Sequence, residues 1–113
     1  MAPGIATWQT QMRKGLLELL VLSVIARSPA HGYAIATQLR DFDLFPVGEG
    51  TLYPLLARLT KRAVVEAAWD TSGSGPARKV YQITPLGRTE LKSMRDFWSQ
   101  LDRAVDGLGS DEK

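Results

Sequence analysis

Between Leu16 and Ile25 the only polar side chains are Glu18 and Ser23. The second half of the helical segment Gln9–Arg27 is therefore apolar on nearly every side. Such a helix cannot lie along a surface, so the rest of the chain has to be wrapped round it. Ser28 and Pro29 stop it, because proline cannot continue the hydrogen-bond ladder and pushes its predecessor out of the α region. The run Leu19–Ala26 is far short of the roughly 20 apolar residues that span a bilayer, and Ser23 interrupts it. No secretory leader is expected before it, and the chain is expected to be cytoplasmic, without a membrane partner.

The wrapping elements follow in order. A shorter helix is expected over Gly32–Asp41, and Phe42–Gly50 is a turn segment holding Pro46, Gly48 and Gly50. Leu52, Leu55, Leu56 and Leu59 then recur at i, i+3, i+4, i+7, which draws one apolar stripe on a third helix. Pro54 is tolerable there if the helix begins near Thr51, where N–H groups have no intrahelical partner. Lys61, Arg62 and Ala63 close that helix. Val64–Trp69 and Arg78–Thr84 are β-type runs on either side of Thr71–Pro76, a stretch of turn chemistry, and so predict a hairpin with a long tip. Thr84 and Pro85 have the character of N-cap and first helical residue. The last helix should run to about Asp106, ended by Gly107 and Gly109, with a frayed tail at Ser110–Lys113.

With 113 residues, 44% of them hydrophobic, the chain has material for one domain with a small core that gains from a partner subunit. The formal net charge is +2, which permits nucleic-acid binding without requiring it. Cysteine is absent and His31 is the only histidine, so disulfides, thiolate chemistry and the usual zinc sets are excluded. His31 is expected to be a turn or cap residue opening the second helix. No nucleophile with a neighbouring base and no phosphate-cradling glycine loop can be assembled, so catalysis is not expected.

Three helices, a hairpin and a helix form the order of a winged helix-turn-helix, in which the third helix enters the major groove. The expected fold class is thus mainly α with a small β-hairpin (α+β). Residues 1–84 would form the winged helix-turn-helix with its N-terminal helix, 85–108 a C-terminal dimerisation helix of the same unit, and 109–113 the tail. On the third helix the leucines face inward and Gly50, Pro54, Ala57 and Lys61 fall opposite, with Thr51, Tyr53 and Arg58 on the flanks. A small outward face lets the backbone approach a groove, while Thr51, Tyr53, Arg58 and Lys61 reach phosphates or base edges. An ordinary solvated helix face accounts for the same pattern equally well. Arg78 and Lys79, just beyond the hairpin tip, tilt the balance toward DNA, because a wing would lay them on the backbone or in the minor groove. Glu49 suits the positive end of the helix dipole.

Gly50-Thr51-Leu52-Tyr53-Pro54, continuing through Leu56 to Arg58-Leu59, resembles the recognition-helix signature of the PadR family of bacterial regulators. His31-Gly32-Tyr33-Ala34-Ile35 resembles that family's second-helix opening, which adds Tyr33 to the DNA-facing set. Arg78-Lys79-Val80-Tyr81-Gln82-Ile83-Thr84-Pro85-Leu86-Gly87 resembles its wing strand and helix junction. The resemblance implies the short branch of the family, whose members are typically dimeric repressors, some released from DNA by a small aromatic compound. The Gly48-Glu49 pair departs from it, since small or hydroxyl residues are commoner there.

Leu91, Met94, Trp98, Leu101, Val105 and Leu108 step by 3, 4, 3, 4, 3, a heptad seam that predicts dimerisation through the last helix. The first helix would join it through Leu16 and Leu20, and Trp8 has no assigned place. A two-fold homodimer sets its recognition helices about 34 Å apart, on a pseudo-palindromic double-stranded operator. Phe97-Trp98-Ser99 and Asp102 resemble the multidrug-sensing members of the branch. The resemblance implies that Trp98 and its symmetry mate stack on a flat aromatic effector while Asp102 attracts a cationic one. Trp98 as plain seam packing explains the sequence as well. No cofactor is expected apart from such an effector. The competing reading is a winged-helix module that binds protein without operator DNA.

Overall fold

A computed structural model of the chain describes residues 3–42 and 47–109. The turn residue Pro46 and the frayed tail expected at Ser110–Lys113 lie outside those residues. The elements are α1 (Pro3–Arg27), β1 (Ala30–His31), α2 (Gly32–Arg40), α3 (Glu49–Lys61), β2 (Val65–Asp70), β3 (Arg78–Ile83) and α4 (Pro85–Gly109). The fold is mainly α with a small antiparallel sheet, the architecture of a winged helix. None of the described helices is long and apolar enough to cross a membrane.

The apolar half of α1 is the centre of the molecule. Val21, Leu22 and Ile25 are fully buried against Ile35 of α2, Leu52, Leu56 and Leu59 of α3, and Val64 and Val65 at the start of the hairpin. Leu16, Leu17, Leu19 and Leu20, one or two turns earlier, are only half-buried, so the wrapping is incomplete at that end.

Three boundaries depart from expectation by more than one residue, and one element is new. First, α1 begins at Pro3, not Gln9. The upstream residues lack an apolar stripe, yet nothing after Pro3 breaks a helix, and proline itself is at home in a first turn. Second, α4 runs through Gly107 to Gly109. A glycine ends a helix by turning left-handed, and no described glycine has a positive φ. Within a helix its cost is only about 1 kcal/mol.

Third, α3 begins at Glu49, capped by the Gly48 carbonyl, which accepts from Thr51 N–H (3.1 Å) and Leu52 N–H (3.0 Å). Pro54 is therefore the sixth helical residue instead of a first-turn residue. A proline in a helix interior costs about 3 kcal/mol. Burying Leu52, Leu55, Leu56 and Leu59 contributes roughly 1.5–3 kcal/mol each, so the stripe decides the conformation. The new element is Ala30–His31, a strand that sequence patterning did not announce.

That short strand makes the sheet three-stranded, in the order β1-β3-β2, with all pairs antiparallel. Ala30 pairs with Tyr81 and His31 with Val80, while β2 pairs along its whole length from Val65↔Ile83 to Asp70↔Arg78. β3 is thus the central strand.

The junction between α3, β2 and α4 is tightly stitched. The end of α3 is a Schellman motif: Ala63 N–H donates to Thr60 O (3.0 Å), Val64 N–H to Leu59 O (3.2 Å), and Ala63 sits at φ 64°. Thr84 caps α4 as expected, its hydroxyl accepting from Gly87 N–H (3.0 Å) while donating to Ala63 O (2.7 Å). Arg62, at the C-cap of α3, bridges Glu18 of α1 and Glu90 of α4. The hydrogen bond to Glu18 is the largest of the effects that raise the Arg62 pKa, so it stays charged.

Candidate nucleic-acid interface

The cap of α2 sets one wall of the candidate site. His31 is in extended conformation (φ −86°, ψ 163°), and its Nδ1 accepts from Ala34 N–H at 3.3 Å. It is the expected cap, although histidine is not among the usual capping residues. Gly32 follows, and the reason for a glycine is the Tyr53 ring of α3. A Cβ on Gly32 would stand 2.6 Å from Tyr53 Cε1, so with any other residue there the ring would have to swing away from the start of α2.

The central strand supplies the opposite wall. His31, Gly32, Tyr33, Tyr53, Arg78, Lys79 and Tyr81 line one open recess of about 320 Å³. Three of the elements expected to face DNA therefore meet at one surface: the start of α2, the flank of α3 and the base of the wing. Arg78 Nη1 lies 3.1 Å from His31 Nε2. Lys79 Nζ sits 5.7 Å from the centroid of the Trp69 ring, its cross-strand partner, and the Arg40 guanidinium lies 6.0 Å from the Tyr33 ring. Burial, with Tyr53 adding to it, pushes the Tyr81 phenol above its ordinary pKa, so it stays neutral and can donate.

Along α3 the exposed residues are Glu49, Gly50, Thr51, Tyr53, Pro54, Ala57, Arg58 and Lys61, against the buried leucines. Thr51, Tyr53, Arg58 and Lys61 are thus on the outward side, as helical geometry predicts, but of α3 only Tyr53 lines the recess, and Gly50, Thr51, Pro54, Arg58 and Lys61 do not. Glu49 lies in the first turn, where its charge suits the helix dipole. The wing tip is ordered by Asp70, whose carboxylate accepts from the Ser72 hydroxyl (2.6 Å) and backbone N–H (2.9 Å). Those bonds lower its pKa.

A second feature lies away from this surface. Gln11, Met12, Gly15, Leu16 and Leu19 of α1 face Met94, Phe97, Trp98 and Leu101 of α4 across a mostly apolar groove of about 300 Å³. Asp102 is exposed and is not part of its lining. The heptad stripe of α4 divides in two. Leu91 is 7% exposed and belongs to the domain's own core, and Met94 packs on that core. Leu101, Val105 and Leu108 are 41%, 64% and 86% exposed. Leu16 and Leu20 are half-buried, and Trp8 and Ile5 are exposed near the start of α1.

Sequence reasoning missed several participants. His31 was expected only to cap α2, and nothing local signals its approach to Arg78, which depends on β1 pairing with β3. Trp69 was given no role, and Tyr81 and Phe97 were named only within longer motifs, without a place at a site. The alternation Val65, Ala67, Trp69 could have placed Trp69 on the same face as the core.

Comparison with known proteins agrees with this geometry. Residues 21–93 match the model of the transcriptional regulator PadR-like family. The chain is similar to a PadR family transcriptional regulator from Eggerthella lenta, with 33% identity, TM-score 0.85, and coverage of 96% of this chain and 94% of that one. A PadR-like transcriptional regulator from Bacillus cereus is 35% identical, with TM-score 0.82 and coverage of 90% and 99%. A transcriptional regulator of Mycobacterium tuberculosis is 31% identical over 97 residues, 86% of this chain and 89% of its own length.

Proposed function

The chain belongs to the PadR-like family of transcriptional regulators, a DNA-binding family and not one of enzymes, and from that premise we propose that it works as a homodimeric repressor of a pseudo-palindromic operator. Each protomer would offer α3 to the major groove and the wing to the adjoining backbone. The observation that carries this reading is the shared recess, because Tyr53 of α3 and Arg78 and Lys79 of β3 open onto one surface. Gly50 and Pro54 keep the outward side of α3 low. Thr51, Tyr53, Arg58 and Lys61 reach base edges or phosphates, and Tyr33 contacts the backbone from α2.

Salt dependence tests the interface. Arg78→Ala is expected to weaken binding to every duplex and to reduce the slope of log affinity against log salt by about one unit. An unchanged slope removes the wing from the DNA surface.

Dimerisation is supported by shape. The molecule measures 59 × 32 × 21 Å, elongated enough that the end of α4 carries Val105 and Leu108 beyond the cover of its own core. A second copy packing α1 and α4 across a two-fold axis would cover them. The α1–α4 groove would then lie at the dimer interface, with the two copies of Trp98 facing a flat aromatic effector and Asp102 at its rim drawing in a cation. Binding there would alter the spacing of the recognition helices and release DNA.

Proflavine, a planar aromatic cation, is a suitable probe, followed by its own anisotropy because Trp8 and Trp69 also emit. Trp98→Ala is expected to weaken its binding by at least about tenfold. Equal affinities for both proteins eliminate the stacking site.

A further inference from the structure

We propose that His31, beyond capping α2, is a DNA-contacting residue that grips one backbone phosphate oxygen jointly with Arg78. The inference rests on the reading of the recess as a DNA surface. It starts from a conflict of hydrogen-bond roles. His31 Nδ1 accepts from Ala34 N–H, so the proton of the neutral ring is on Nε2. Nε2 faces Arg78 Nη1 at 3.1 Å, and a guanidinium nitrogen has only protons to offer. While the cap bond is kept, two donors therefore face each other across 3.1 Å on an exposed surface, and one acceptor could serve both.

The remedy is an oxyanion between or beside them. A small separation of the two nitrogens lets both N–H groups converge on one oxygen, in the manner of charge-assisted bonds. The surroundings suit a phosphodiester. The recess is open to solvent, Lys79 adds a second cation, and Tyr53 and Tyr33 border it. Among the described residues no carboxylate lines it; Asp70, the cross-strand partner of Arg78, interacts electrostatically with Arg78 and His31 but is engaged by the Ser72 hydroxyl and N–H. The pairing of β1 with β3 fixes the arrangement, because His31 lies opposite Val80, two residues from Arg78. A regulator built this way ties the α2 cap, the wing and one phosphate into a single set of contacts, so docking of the wing fixes the seating of the helix pair.

The test is a substitution that separates the cap from the second donor. In His31→Asn the amide oxygen takes over the cap bond to Ala34 N–H, and the group that faced Arg78 is gone. Thermal melting at fixed protein concentration checks that the fold is retained. Binding is measured on the inverted-repeat duplex that the wild-type protein selects from a random pool. His31→Asn is expected to bind about tenfold more weakly with an unchanged salt slope, since a neutral donor is lost, whereas Arg78→Ala also lowers the slope by about one unit.

A methylphosphonate placed at successive positions identifies the phosphate. One position should weaken the wild type about tenfold and weaken His31→Asn and Arg78→Ala by clearly less, since each variant keeps only one of the two donors. Inorganic phosphate titrated alone serves as the other source of the same chemistry, and it should compete only at concentrations where general salt also does. Wild-type affinity in His31→Asn, or a loss equal to the wild type's at every methylphosphonate position, overturns the assignment while leaving the DNA reading intact. Failure of the wild type itself to bind any duplex at low salt overturns both.

Discussion

Leu101→Glu combined with Val105→Glu should convert the protein to a folded monomer and lower its affinity for an inverted-repeat operator at least about a hundredfold. Leu101 and Val105 are 41% and 64% exposed in the single chain and neither belongs to the core cluster, so the fold should survive when they are charged. In a dimer the same positions fall on the proposed seam, where an unpaired carboxylate taken out of water costs several kcal/mol, and the symmetry places two such pairs together. Operator affinity then suffers through geometry. Two recognition helices held in one dimer engage the second half-site at a millimolar effective concentration, an advantage of roughly 10²–10⁴ that a monomer forfeits. Sedimentation equilibrium and operator titration read the two effects separately. A variant that keeps the dimer mass removes α4 from the interface. A monomer with undiminished operator affinity removes the need for two-fold binding.

Gly87→Ala should be the most damaging conservative change in the chain. A Cβ at that position would lie 2.0 Å from Val64 O and 2.7 Å from Ile83 Cγ1. The first neighbour is backbone, fixed by its own bond from Thr84 N–H at 3.1 Å, and cannot rotate aside. The start of α4 has to move off β2, and the Thr84 bonds to Ala63 and Gly87 stretch with it. Overpacking of about 1–3 kcal/mol and weakened hydrogen bonds at about 1 kcal/mol each sum to roughly 3–5 kcal/mol. Such a loss is a large part of a small domain's stability, and calorimetry should show Tm lowered by roughly 15 °C or more. Gly107→Ala on the same helix is the control. Its Cβ meets nothing within 4 Å, so alanine should be neutral or slightly stabilising there. Equal melting of the two variants would mean that the α4–β2 contact yields far more easily than its geometry implies.

The contrast between those two glycines shows what a sequence can carry. Patterns repeated over several residues were legible: the leucine stripe of α3, the apolar half of α1, the alternating hairpin and the Thr84-Pro85 helix start all correspond to observed elements. Boundaries marked by a single residue were less so. Gly107 and Gly87 are the same letter, yet one lies within an exposed helix and the other is a contact between two backbones. Pro54 is a similar case, since a rule about its position in a helix yielded to the burial of four leucines. The outward side of α3 was legible from helical periodicity, as for Thr51, Tyr53, Arg58 and Lys61. The candidate interface was not legible where it depends on a pairing of distant segments, as for His31 with Arg78. A strand of two residues has no periodicity to read, and it is this strand that brings those side chains together.

Pro54 has a further consequence for how α3 meets a partner. It has no N–H to offer the Gly50 carbonyl one turn earlier, Gly48 caps the helix without a side-chain bond, and Gly50 adds backbone freedom in the first turn. The rear of the same helix is locked by the buried leucines, the left-handed Ala63 and the Arg62 clasp. The helix is thus stiff where it is anchored and compliant at its tip, like a probe on a rigid arm, and its front turn can conform to small differences in groove shape without disturbing the arm that delivers it.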